Sequence, residues 1–342
     1  MTPKVSVIIP VYNTAPYLRR CLDSVRGQTL RDIEILCVND ASTDGGLDIL
    51  KEYALNDSRI RIFDNAVNLG ETNSRNLALI SAKGEFVAFV DSDDSFEHNF
   101  LETLYSEAAA TGADMVKGMM LEIAPEGARE ESDMNDLIMK DGTRCFLYEF
   151  PTAIYKNKFI KQNGITFPGG LVLGGDLVFL ARALLKANMV VCSDKTHYVY
   201  YRRPDSADTV VLDDDKIISL LRAAQLIIHE INNAEKSSLK DEEYDFIFHH
   251  RFLHILNNVS KTGTKRSKQL CAEAMVKLYD QCQRREILDV NLQNYYEVIV
   301  ECLRLGDIAG LTRVFILNNN LDKLYVVSTL SRLRKNILKS RK

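Results

Sequence analysis

The 342-residue sequence lacks several features that would settle its class at once. No apolar run reaches membrane-spanning length, and the first residues carry no charged-then-apolar leader, so a cytoplasmic protein is expected. Seven cysteines (Cys21, Cys37, Cys145, Cys192, Cys271, Cys282 and Cys302) make an odd number, no two are spaced Cys-x-x-Cys, and most stand in apolar surroundings. That argues against a zinc site and a disulfide framework, and for a reducing compartment. Neither sign of charge dominates: 43 Lys and Arg against 47 Asp and Glu give a formal net charge of −4, so nucleic acid is not an expected partner. What remains is an ordinary globular composition, 46% hydrophobic and 26% charged, at a length that suits two domains.

Strand and helix patterns alternate through the first part. Val5 to Pro10 is a β-branched strand. Thr14 can cap a helix with Leu18, Leu22 and Val25 on one face. Ile33 to Val38 is a second strand ending at Asn39-Asp40, and the polar turn Ala41 to Gly46 leads into a helix. Arg59 to Phe63 is a third strand, and Asn68-Leu69-Gly70 opens a helix through Ala82 that Lys83-Gly84 would end as a C-terminal cap. Phe86 to Val90 is a buried strand running into Asp91-Ser92-Asp93-Asp94. The alternation predicts a parallel, doubly wound α/β sheet. Ligands bind such sheets beyond the strands' carboxyl ends, where Tyr12-Asn13, Asn39-Asp40 and Asp91 to Asp94 all fall. Further on, a helix near 99–111, a strand from Met115 to Ile123, a polar loop from Pro125 to Asp136, a helix near Lys158 to Asn163 and short strands at Met189–Cys192 and His197–Tyr201 are expected. The domain boundary is expected at 208, with residues 1–208 forming the α/β domain. Residues 209–342, almost free of glycine and proline, read as an all-helical domain for acceptor, oligomer or membrane-surface contacts.

Three acids at the end of a buried strand need something positive, and a divalent cation with oxygen ligands is the simplest candidate; a solvated acidic turn is the plainer reading. A calcium loop fits at Asp91, Asp93, Ser95 and Glu102 but fails where Phe96 stands in place of the required glycine. Asp176, after Gly174-Gly175, reads as a helix N-cap or as a catalytic acid.

Val7 to Asn13, Gln28-Thr29, Glu34-Ile35, Val38 to Asp44, Asn68-Leu69-Gly70, Ser74-Arg75-Asn76, Ala82 to Glu85 and Asp91 to Asp94 occur in the order and spacing of a known pattern. The chain resembles a family 2 glycosyltransferase of the GT-A fold, densely over residues 4–110 and more thinly to 206. The resemblance implies a Rossmann-like, mostly parallel sheet flanked by helices. It also implies an inverting, metal-dependent transfer of a sugar from a nucleotide-diphosphate donor, a UDP-sugar being favoured, to a glycan, glycolipid or glycoprotein hydroxyl. By the same resemblance Pro10, Val11, Tyr12, Asn13 and Asp40 would cradle the base and ribose with Ser92 nearby. Arg75 would reach the nucleotide, Asp91 would accept from ribose hydroxyls, and Asp93 would bind Mn²⁺ or Mg²⁺. Asp176 would be the general base, and Arg203 would face the diphosphate. Two positions depart from the pattern. Asn39 stands where relatives carry an aspartate, and Gly175 where a glutamate precedes the base.

Two rival functions follow from the residues. The departures suit a non-catalytic nucleotide-sugar-binding relative. A metal-dependent nucleotidyltransferase would need a glycine-rich basic loop after the first strand, and Val11 to Ala15 holds neither glycine nor lysine. The tail from Ser331 to Lys342 carries six basic and no acidic residues. It reads as a solvated terminus or as a peripheral contact with an anionic membrane, where a lipid-linked glycan acceptor would lie. A homo-oligomer is compatible with either.

Overall fold

The computed structural model describes residues 2–127, 129–131, 150–203, 213–233 and 266. Strand β1 (Val5–Val11) shows why this chain makes a two-sided sheet. Val5, Val7, Ile9 and Val11 enter one core and Ile8 the other, the period of two that a strand imposes. Parallel partners β2 (Ile33–Asn39), β3 (Ile60–Asp64) and β4 (Phe86–Phe89) complete the first half of the sheet. Helices α1 (Ala15–Arg26), α2 (Gly46–Asn56) and α4 (Phe100–Thr111) contribute Leu18, Leu22, Leu50, Leu101 and Leu104 to one core. Helices α3 (Glu71–Ser81), α5 (Asn157–Gln162) and α6 (Gly175–Lys186) contribute Ala78, Phe159, Phe179 and Leu184 to the other.

The remaining strands are β5 (Ser95–Phe96), β6 (Met115–Ile123), β7 (Arg129–Glu131), β8 (Ala153–Lys156) and β9 (Val190–Tyr201). The sheet order is β3-β2-β1-β4-β8-β6-β9-β5, with β7 on β6. The expected parallel pairing holds from β3 to β4. Beyond β4 the sheet is mixed, because β8 runs antiparallel to both β4 and β6. The register pairs Val11 with Asn39 and Ile8 with Phe89. The loops after β1, β2 and β4 therefore leave the same edge.

Four local expectations are corrected. Thr14 makes no side-chain cap; its hydroxyl meets Ser92 Oγ at 2.7 Å, and Asp44 accepts from the Ala15 N–H instead. Ala82 ends α3 in an extended conformation, so Gly84 is no left-handed cap. Gly84 is needed for clearance, since a Cβ there would lie 2.5 Å from the Ser6 nitrogen. Met189–Cys192 and His197–Tyr201 belong to one strand, β9, whose register against β6 shifts between Lys117 and Met119. Of the expected loop Pro125 to Asp136, Arg129–Glu131 form β7 on the edge of β6, while 128 and 132–136 lie outside the described residues.

The chain divides into two compact units, Met1–Gly170 with Gly175–Thr209, and Leu171–Gly174 with Val210–Lys342. In the second unit, α7 (Asp214–Asn233) holds the Leu171–Gly174 segment: Ser219 Oγ accepts from the Val172 and Leu173 N–H groups and donates to the Leu173 carbonyl. The boundary at 208, the rest of the expected helical domain beyond α7 and the basic tail lie outside the described residues. Among the described residues no helix is long and apolar enough to cross a membrane.

Candidate active site

The loops after β1 and β2 are built as a pair. Asn13 (φ 52°) and Ala41 (φ 57°) both take the left-handed conformation, which non-glycine residues adopt at a cost. Cross-links hold them there. Asn13 N–H donates to Ser42 Oγ at 3.2 Å, Thr43 N–H to Asn13 Oδ1 at 2.8 Å, and Asp40 N–H to the Val11 carbonyl at 2.8 Å. Pro10 and Val11 are buried in the strand, while Tyr12 is left 50% exposed at the rim. Asp40 is 2% exposed and its carboxylate is engaged, accepting from Leu69 N–H, Gly70 N–H and Asn65 Nδ2, each at 2.8 Å. It fixes the entry to α3. Asn39 has a local reason: its Nδ2 donates to Asp64 Oδ1 at 2.7 Å, where an aspartate would meet a second carboxylate.

The acid turn after β4 sorts its side chains by direction. Asp94 N–H donates to the Asp91 carbonyl at 3.0 Å, closing the turn. Asp94 is buried and accepts from the Tyr198 hydroxyl at 2.6 Å and the Tyr201 N–H at 3.0 Å, so it ties the turn to β9. Ser92 is buried against Thr14, its hydroxyl already used. Asp91 and Asp93 keep partial access to solvent. Asp91 pairs with Arg75 at 2.6 Å and Asp93 with Arg203.

Arg75 lies on α3 with its side chain only 4% exposed. Its guanidinium stands over the rings of Phe150 (5.1 Å) and Phe167 (5.5 Å), and its Nη2 also meets Glu71 at 2.5 Å. Burial works against its charge, but Glu71, Asp91 and Asp176 outweigh that and keep it a cation. Phe179 in α6 stacks on Phe167 at 4.2 Å, within a cluster that also holds Phe89, Phe150 and Tyr155. That stack anchors the first turn of α6, which carries Asp176. The aspartate far along the chain is thereby set within electrostatic reach of Arg75 and Glu71.

Negative charge is in excess here. Burial pushes the Asp93 carboxyl up, Asp91 adds to this, and Arg203 pulls it back. Burial, then Asp91 and Asp93, push Asp94 up, against hydrogen bonds from Tyr198 and Tyr201. Burial of the carboxyl among its neighbours pushes Glu71 up as well, Arg75 pulls it back, and Asp91, Asp176 and Asp93 add to the rise, although its side chain stays 55% exposed. Raised acids bind more protons folded than unfolded, so their contribution to stability is full below the ordinary values and is lost as pH rises through the folded ones. Without divalent ions, the thermal midpoint should be higher at about pH 5 than at about pH 8, and Asp93→Asn should shrink the difference. Asp57, held low by Arg59, works the opposite way at lower pH, which is why the comparison with the variant is needed.

The same excess suits a divalent cation. Among the described residues no three His, Cys, Asp or Glu side chains form a protein-only metal cage. Mg²⁺ and its kin commonly take one or two carboxylates and complete their shell with phosphate and water, and Asp93 with Asp91 beside it offers that donor set.

Helix α1 was expected from the sequence, but not its part in the site. Arg20 donates to the Asp93 carbonyl and stands 3.4 Å over the Tyr201 ring, while Arg203 lies 4.7 Å over Tyr17. Tyr17 and Arg20 sit three apart, on one helix face, and that spacing was the available signal.

The family model described as Glycosyl transferase family 2 matches residues 6–167. The chain is 30% identical over 282 residues to the putative glycosyltransferase EpsH of Bacillus subtilis, covering 78% of this chain and 80% of that protein. It is 34% identical over 209 residues to the poly(ribitol-phosphate) beta-glucosyltransferase of Bacillus spizizenii, a match covering 59% of this chain and 33% of that one. The match thus spans about a third of that relative's length. The crystal structure of Staphylococcus aureus TarS 1-349 superposes with a TM-score of 0.73 at 26% identity, covering 91% of this chain and 90% of that one. TarS is named a poly(ribitol-phosphate) beta-N-acetylglucosaminyltransferase, and it matches at 30% identity over 70% of this chain and 43% of its own.

Proposed function

The chain belongs to glycosyl transferase family 2, and from that premise we propose that it moves a hexose or N-acetylhexosamine from a UDP-sugar to a hydroxyl of a glycan or polyol-phosphate acceptor, with inversion. The observation that carries this reading is the gathering of Asp91, Asp93, Arg75, Arg203 and Asp176 around the carboxyl edge of parallel strands. The names of the relatives from Bacillus spizizenii and Staphylococcus aureus support a glucosyl or N-acetylglucosaminyl donor and a β-linked product.

Each residue then has a task. Half-exposed Tyr12 and the cross-linked loops after β1 and β2 receive the base and ribose, and Asp91, held by Arg75, accepts from ribose hydroxyls. Asp176 takes the proton of the acceptor hydroxyl as its oxygen attacks the anomeric carbon. The bond to the diphosphate breaks on the opposite face, and its electron pair leaves with the diphosphate. Arg203 offers a planar fork to that group. A Mn²⁺ or Mg²⁺ ion held by Asp93 would supply further positive charge to the departing diphosphate.

A donor panel tests the reading: UDP-glucose, UDP-N-acetylglucosamine, UDP-galactose and GDP-mannose, each with Mn²⁺ or with chelator. UDP release from a UDP-sugar that needs the ion is expected. Mn²⁺ with UDP should also raise the thermal midpoint of the parent but not of Asp93→Asn. UDP binding without turnover of any donor would favour the non-catalytic relative.

A further inference from the structure

The first turns of α3 and α6 touch. A Cβ built on Gly175 would lie 2.3 Å from Thr72 Cγ2, and Thr72 is a buried, branched side chain that cannot swing away. Position 175 therefore carries no side chain because α3 already fills the space. The residue before Thr72 is Glu71. Its Oε1 is clamped by Arg75, which is itself boxed in by Phe150, Phe167 and Asp91. Its Oε2 accepts no hydrogen bond among the described residues, and more than half of the side chain meets solvent. One oxygen is thus held and the other open, within electrostatic reach of Asp91, Asp93 and Asp176.

We propose that Glu71 is a substrate-contacting residue: its open carboxylate oxygen accepts from a second hydroxyl of the acceptor, beside the hydroxyl that Asp176 deprotonates. The acid comes from α3 because α6 has no room for one at 175. A carboxylate fixed by a buried guanidinium is pre-oriented, so it binds a hydroxyl without first ordering a flexible chain. This rests on the glycosyltransferase reading above.

The test is steady-state transfer from the donor that the panel selects, with poly(ribitol phosphate) and p-nitrophenyl β-hexosides as acceptor probes. In Glu71→Gln the amide oxygen still faces Arg75 while the charge is lost. Acceptor KM should rise about tenfold or more, with donor KM changing less than about threefold; a purely structural role would move both together. Moving the acid to α6, in Glu71→Gln/Thr72→Gly/Gly175→Glu, should recover at least part of the acceptor KM. If that triple variant does not fold, the single variant decides. An acceptor KM unchanged in Glu71→Gln, or one that rises equally with donor KM, overturns the proposal and leaves the transferase reading standing. A parent that turns over no donor, or that glycosylates neither probe, overturns both.

Discussion

Asp176→Asn is expected to lower sugar transfer on the order of 10²- to 10⁴-fold, the usual worth of a positioned general base, with UDP affinity and thermal midpoint close to the parent's. The substitution discriminates because Asp176 is the second residue of α6, inside the first turn and not its cap, so the charge is worth only about 0.3–1 kcal/mol to the helix. If Asp176 served only to favour the start of α6, the amide would cost that small amount of stability and transfer would persist. No hydrogen bond in the turn depends on the charge, and Arg75, which Asp176 helps to keep a cation, still has Glu71 and Asp91 beside it. Asp176 accepts no hydrogen bond among the described residues, and α6 is held by Phe179 on Phe167 rather than by its first turn. An amide has the size of the carboxylate but cannot take up the acceptor's proton. Steady-state rates of UDP release with acceptor, set beside UDP binding by calorimetry, read the two effects separately.

Asp40→Ala should instead cost stability, about 2–3 kcal/mol, because it removes a buried carboxylate that three part-buried donors meet. Both oxygens are in use: Leu69 N–H and Asn65 Nδ2 go to Oδ1 and Gly70 N–H to Oδ2. Gly70 holds φ 83° and ψ 157°, a conformation open in practice only to glycine, and the bonds to the second partners of its N–H (Asn68 Oδ1, 3.1 Å) and of Asn65 Nδ2 (Ser74 Oγ, 3.3 Å) are longer than those to Asp40. A loss of that size should lower the thermal midpoint by on the order of 10 °C. Asp40→Asn keeps the shape but has one acceptor oxygen for two backbone donors, and should fall between the parent and the alanine variant. UDP binding should weaken in both, because the loop that Asp40 holds leads into the helix carrying Arg75 and Glu71. A normal midpoint in Asp40→Ala would show that the carboxylate is not the loop's anchor.

The alternation of apolar runs and turns was enough to find β1 through β4 with their helices, because each element there satisfies a local period and its own ends. Glycine was harder to read. Gly84 looks like a cap from its place after a helix, but the reason for it is Ser6, far away in sequence and adjacent in the sheet. Thr14 likewise looked local and is spoken for by Ser92. The unity of β9 was hidden by Ser193-Asp194-Lys195, a polar interruption that its pairing with β6 carries across a bulge. In the site, the motif marked which acids matter for a charged ligand but not which way each points. Asp94 turns inward to Tyr198 because Tyr198 is buried beneath it, a contact between residues 104 apart. Glu71, Arg20 and Tyr17 carry no motif at all, and only the meeting of α1, α3 and α6 with the acid turn gives them a role. Asn39 and Gly175, which look like losses along the chain, are each explained by a neighbour in space, Asp64 and Thr72.

The central claim is an inverting transfer across this crevice, and the configuration of the first product tests it most directly. The parent, given the selected α-configured UDP-sugar and an acceptor that it glycosylates, should form a β-glycoside in a proton NMR time course, and Asp176→Asn should form almost none. An α-linked first product, or a β-linked product formed at the parental rate by Asp176→Asn, would contradict the account.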